Sequence, residues 1–116
     1  MTDSELFVDR LLGLVPELKT RFEQHVADNE VLLPHVFMGD VTRFVIDEAK
    51  NPNMRETLER FLRAIENELH FENANTKELI QASFVENLMG EEITVEKLKP
   101  LMGPIVRKAV STICGY

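Results

Sequence analysis

The chain has no tryptophan, one tyrosine, one cysteine and only five glycines among 116 residues. A lone thiol, Cys114, cannot close an internal disulfide, which excludes the stapled scaffolds of small secreted domains and points to a reducing cytosol. The sequence contains no glycine-rich phosphate loop, no nucleophile elbow, no HExxH and no CxxC, so the common catalytic signatures are missing. Positive charge is also scarce. Against 20 acidic residues stand 13 basic ones, for a net charge of −7, and that balance repels phosphate backbones and anionic lipid surfaces. Nucleic acid and membrane are thus disfavoured partners, whereas a basic protein is a favoured one. Asp3 and Glu5 stand where a signal peptide would be positively charged, which again suggests a cytoplasmic protein. The longest uncharged apolar run, Val31 to Gly39, is interrupted by Pro34 and His35 and is too short to span a bilayer. Alternating apolar and polar runs bounded by hairpin turns are missing too, as are repeats and low-complexity tracts, so strands are not expected.

What remains is helical periodicity, in a length that suits one domain over residues 1–116 and a core without staples. The stretch Asn75 to Gly90 is the organising element. Asn75 and Glu78 have capping-box spacing and Gly90 suits a left-handed terminator, which predicts a helix from about Thr76 to Met89. On it Leu79, Ile80, Ala82, Phe84, Val85, Leu88 and Met89 surround most of the axis, leaving a polar stripe of Ser83, Glu86 and Asn87. So apolar a helix belongs in the interior.

Other segments are expected to cover it. Thr2 and Glu5 form a capping box for a first helix with Leu6, Phe7, Leu11 and Leu14 inward, and Pro16 opens a second that ends near Asn29. Val31, Leu32 and Leu33 read as a buried connector before Pro34, where a third helix runs to about Lys50. Asn51 and Pro52 cap and open a strongly amphipathic fourth helix, with Glu56–Arg60 and Glu59–Arg63 as its outer pairs. Thr94 is placed to cap a short helix, and Gly103–Pro104 to precede a last one through Ile113, with Gly115 and Tyr116 a loose end. The fold class is therefore all-α, six or seven helices around a central buried one.

Candidate functional groups are few. His25, His35 and His70 fall on three different helices, and none has a partner at the spacing of a helical metal site, so no metal or other cofactor is expected. Ser83, Glu86 and Asn87 admit two readings. Either Glu86 and Asn87 bond free backbone groups at a neighbouring helix end, or with His35 they floor a pocket. Gly39, at a helical position, suggests close packing against another helix. A small enzyme using His35, Asp40 and Glu86 is the least favoured alternative, and no catalytic residue is assigned.

The segments PHVFMGDVTR, ASFVENL and LMGP resemble a family of small, acidic, all-helical bacterial proteins of unassigned function. That family includes immunity-like proteins accompanying secreted toxins. The resemblance runs from about Leu33 to Pro104 and brings no catalytic residue with it. It implies a cytoplasmic inhibitor that neutralises a basic toxin or regulates a protein partner. The alternative is an adaptor or homo-oligomer, and the sequence leaves the oligomeric state open. Acidic residues without a good cation on their own helix are the candidate contacts: Asp28, Glu30, Asp40, Asp47 and Glu72, with Arg43 a possible neutraliser of Asp40 and Asp47.

Overall fold

A computed structural model describes all residues, 1–116, as seven α-helices and no strands. Helix α1, Asp3–Leu14, starts at the expected reciprocal capping box, in which the Glu5 amide donates to Thr2 Oγ1 at 3.1 Å and the Thr2 amide to Glu5 Oε1 at 3.2 Å. Its inward face is Phe7, Val8, Leu11 and Leu12. The expected Leu6 and Leu14 lie one step round the helix and are exposed. Pro16 opens a 3₁₀ turn, Pro16–Leu18, which continues into α2, Lys19–Asn29. Helix α3, Pro34–Glu48, begins at its proline. Helix α4, Arg55–His70, is led in by a 3₁₀ turn, Pro52–Met54, capped by the Asn51 side chain. Helix α6 is Glu92–Leu98 and α7 is Pro104–Cys114. Proline thus supplies the first residue of three of these entries and of α7, where its missing N–H costs nothing.

The central element is α5, Ala74–Ile80, which runs on through a π turn, Gln81–Val85, and a 3₁₀ turn, Glu86–Leu88. Its Leu79, Ile80, Phe84, Val85 and Leu88 are wholly buried, within one cluster of 27 buried apolar residues drawn from every helix except α2. Around it stand α1, α3, α4 and α7. Its start differs from the expected one. Asn73, not Asn75, is the cap and accepts from the amides of Asn75 and Thr76. Asn75 instead joins Asn73 in donating to the Asp3 carboxylate at the start of α1. Its end differs too. Met89 is extended and half exposed, and Ala82 faces solvent. A wider π turn followed by a tighter 3₁₀ turn shifts the phase of the side chains, so a uniform 100° per residue fails beyond Gln81. Gly90 closes the segment with φ of 82°, as its sequence position suggested.

Four smaller expectations are corrected. Val31 and Leu33 are exposed and Leu32 only half-buried, because the connector is held by its backbone and not by its side chains. Thr94 is buried inside α6 and does not cap it. Glu59 pairs with Arg55 at 3.2 Å and not with Arg63. The tail is not loose: the Gly90 amide donates to the Tyr116 hydroxyl at 2.7 Å, and Lys99 Nζ donates to the Tyr116 main-chain oxygen at 2.6 Å.

Arg60 ties α4 to the preceding α1–α2 corner. Its guanidinium grips both carboxylate oxygens of Glu17 and also donates to the Leu14 carbonyl at 3.0 Å, while Thr57 Oγ1 donates to Glu17 at 2.7 Å. Those bonds, from Arg60 first and Thr57 second, hold the Glu17 carboxyl down at about 2. A folded pKa below the ordinary 4.5 means that the stabilisation is complete above that value and disappears as pH falls toward 2. A third of each side chain is open to water, which limits the contribution to about 1 kcal/mol. Glu17→Gln is therefore expected to be less stable than the parent by that amount near neutrality and equal to it near pH 2. Urea midpoints across the acid range test this, and a difference constant with pH would refute it.

Candidate functional site

Two of the segments singled out in the sequence meet face to face. His35, Gly39 and Thr42 lie at four- and three-residue steps along one ridge of α3 and pack on the π turn of the central element. His35 Nδ1 and Ser83 Oγ share a hydrogen bond of 2.7 Å. The Thr42 hydroxyl lies 2.9 Å from the Ser83 carbonyl and 2.7 Å from that of Met38, and Asn87 Nδ2 donates to the same Ser83 carbonyl at 2.8 Å. Buried Ser83 thus gathers partners from two helices at the point where the regular α-helical ladder is interrupted.

This seam differs from both readings of the polar stripe. Asn87 bonds a carbonyl of its own element, not a neighbouring helix end, and Glu86 is exposed, its carboxylate in no hydrogen bond or ion pair. A Cβ added at Gly39 would come no nearer than 3.9 Å to Asn87, an ordinary contact, so close packing does not require glycine there. Nor do His35, Asp40 and Glu86 converge. No group of three or more His, Cys, Asp or Glu stands where it would hold a metal, and Asp40 is engaged by Arg21 at 3.1 Å and Arg43 at 3.3 Å. Chemically, a histidine beside a serine is the beginning of a nucleophile and base. Here Ser83 is buried and nothing bonds the other ring nitrogen of His35, so neither access nor orientation is provided. Every buried side-chain nitrogen and oxygen in the molecule has a partner. The thiol of Cys114, whose pKa is pushed up by burial and then by the Glu86 charge, stays protonated.

The acidic candidates separate into different places. Asp40 is neutralised across helices by Arg21 of α2, a partner with no helical spacing to reveal it. Asp47 is exposed on α3 and makes no ion pair, and Glu72 sits in the turn after α4 with φ of 55°. Asp28 and Glu30 share the corner between α2 and α3. Asp28 accepts from Gln24 at 2.8 Å, and Glu30 ends α2 with φ of 67°. Beside them, Val31 is 57% exposed, Leu33 40% and Val36 53%. Buried His25 anchors this corner. Its Nε2 accepts the Leu33 amide at 3.0 Å, and the Asn29 side chain donates to its carbonyl at 2.9 Å. The corner thus carries two acidic residues, Asp28 and Glu30, and three exposed apolar ones on a backbone held by His25.

Residues 8–114 match the model of a family described as Domain of unknown function (DUF7674). The chain belongs to the DUF7674 family. No curated protein and no solved structure matches it. The DUF7674 match reaches back to Val8 in α1, well before the Leu33 at which the sequence resemblance begins. In this DUF7674 protein the LMGP segment has a structural reason. Gly103 is the N-cap of α7, Pro104 its first residue, and the next two amides, of Ile105 and Val106, donate to the Glu66 carboxylate of α4 at 3.0 and 2.9 Å. A second long-range clasp joins α1, α4 and α5, in which buried Glu68 accepts from Arg10 at 2.6 Å and from the Thr76 hydroxyl at 2.9 Å. Sequence reasoning missed both, since nothing near Glu66 or Glu68 marks them out from other glutamates on a helix.

Proposed function

We propose that this DUF7674 protein is a non-catalytic binding domain that takes a basic protein partner at the corner between α2 and α3. The observation that carries this reading is the combination there of exposed Val31, Leu33 and Val36 with Asp28 and Glu30, neither of which has a cation within pairing distance. An apolar centre with a charged rim is the anatomy of a protein interface, and a net charge of −7 adds long-range attraction for a basic surface. Asp47 and Glu72 extend the acidic field without belonging to that corner. Asp40 is withdrawn from the contact set because Arg21 and Arg43 already neutralise it. The sharpest form of the proposal follows from the resemblance to immunity-like proteins: a cytoplasmic inhibitor that neutralises a basic toxin.

Co-expression with the product of the adjacent gene, followed by stopped-flow association, provides the test. Reversing Asp28 and Glu30 to lysine is expected to slow association by about tenfold at low salt, leave dissociation nearly unchanged and leave the melting temperature within a few degrees. A partner of acidic pI, or an association rate indifferent to salt, would refute the proposal. A different patch favours the second reading, an adaptor or homo-oligomer. Phe71, 75% exposed, and Leu14, 52% exposed, flank a groove of about 200 Å³ between α1 and α4. Light scattering on the isolated protein separates the two, since self-association through that patch gives twice the monomer mass.

A further inference from the structure

A larger groove, of about 610 Å³, lies between the end of α4, α5 and α7, and none of its lining residues belongs to the α2–α3 corner. Its floor is apolar, formed by Leu69, Ile105, Ala109 and Ile113. Lys77 from α5 and Lys108 from α7 line it, and neither ammonium has a carboxylate within ion-pair distance. Glu72 is the one carboxylate in the lining. In a chain with 20 acidic and 13 basic residues, two unneutralised lysines with a single acid in one recess reverse the sign of the molecule as a whole. The volume falls within the range that holds small organic ligands, roughly 300–1,000 Å³.

From the apolar floor and the free ammonium groups, the geometry points to a binding site for a linear amphipathic carboxylate, its chain on the floor and its head group on Lys77 and Lys108. Lysine suits this role as a mobile point charge that follows an anion along a groove. The site is independent of the α2–α3 corner and holds whether or not that corner binds a protein.

Calorimetric titration with decanoate, decanol and decyltrimethylammonium, each below its micellar concentration, tests the assignment. Non-specific adsorption to an acidic protein favours the cation, so the expected order of decanoate first, decanol about tenfold weaker and the cation weakest is diagnostic of the lysines. Converting both Lys77 and Lys108 to methionine keeps the apolar stems and removes the charges. Decanoate affinity is then expected to fall to that of decanol, with decanol affinity and the melting temperature unchanged, whereas Lys97→Met outside the groove changes nothing. Amide shifts at Ile105 and Ala109 on titration locate the ligand. Absence of saturable decanoate binding, equal or tighter binding of the cation, or full decanoate affinity in the double lysine variant would each overturn the assignment.

Discussion

Phe84→Ala is expected to destabilise the protein by about 3–5 kcal/mol, the usual cost of emptying a fully buried aromatic site. The ring is wholly inaccessible and stands edge-on to Phe61 of α4, with centroids 5.3 Å apart and planes at 75°. That T-shaped pair is worth about 0.5–1.5 kcal/mol beyond the area buried. Phe84 is carried by the π turn, so the cavity opens where that turn meets Phe61 of α4. Relaxation is limited there, because the Ser83 carbonyl is fixed by Thr42 and Asn87 and cannot follow a collapsing side chain without breaking those bonds. Thermal unfolding checks the expectation through a fall of more than about 10 °C for a domain of this size. A variant that melts within a few degrees of the parent would remove Phe84, and the π turn with it, from the centre of the fold.

The second large effect is expected at Gly103, where substitution by alanine should cost about 2–3 kcal/mol, comparable to losing hydrogen bonds to a charged group. Its φ of −75° is open to any residue, so conformation is not the reason. Space is. A Cβ there would lie 2.4 Å from Glu66 Cδ and 2.6 Å from Oε1, inside contact distance. Glu66 has a flexible side chain and can swing aside, but it then abandons the amides of Ile105 and Val106 and the favourable position of a carboxylate at a helix N-terminus. Glu66→Ala should cost nearly as much as Gly103→Ala, and the double variant little more than either, because both changes delete the same cap. Chemical denaturation of the four proteins gives the cycle, and additive losses would show that the glycine serves some other purpose.

Several elements were legible from short-range chemistry alone. The capping box of Thr2 and Glu5, the prolines at 16, 34, 52 and 104 and the terminating Gly90 all act on backbone within a turn of themselves, and each is where the sequence placed it. The amphipathic stripe of α4, with Leu58, Phe61, Leu62, Ile65 and Leu69 inward, is another, since burial follows from period when a helix is regular. Where the helix is irregular the same reasoning fails, as Ala82 and Met89 show beyond the start of the π turn. The connector Val31–Leu33 failed for a related reason. Its apolar character was read as burial, but a hydrogen bond from the Leu33 amide to His25 fixes the backbone in a course that turns Val31 and Leu33 outward.

The sequence by itself determined the all-α class, the positions of the helices and most of the core, because capping, proline geometry and apolar period are decided within four residues of each position. Only the tertiary structure decided which charges are free and which are spent. Arg21 takes Asp40 from 19 residues away, Arg60 takes Glu17 from 43, Arg10 takes Glu68 from 58, and Glu66 caps a helix that begins nearly forty residues later. A glutamate reads the same in the sequence whether it faces water or a helix end. What distinguishes them is the approach of another element, and that is set by how all the apolar faces pack at once.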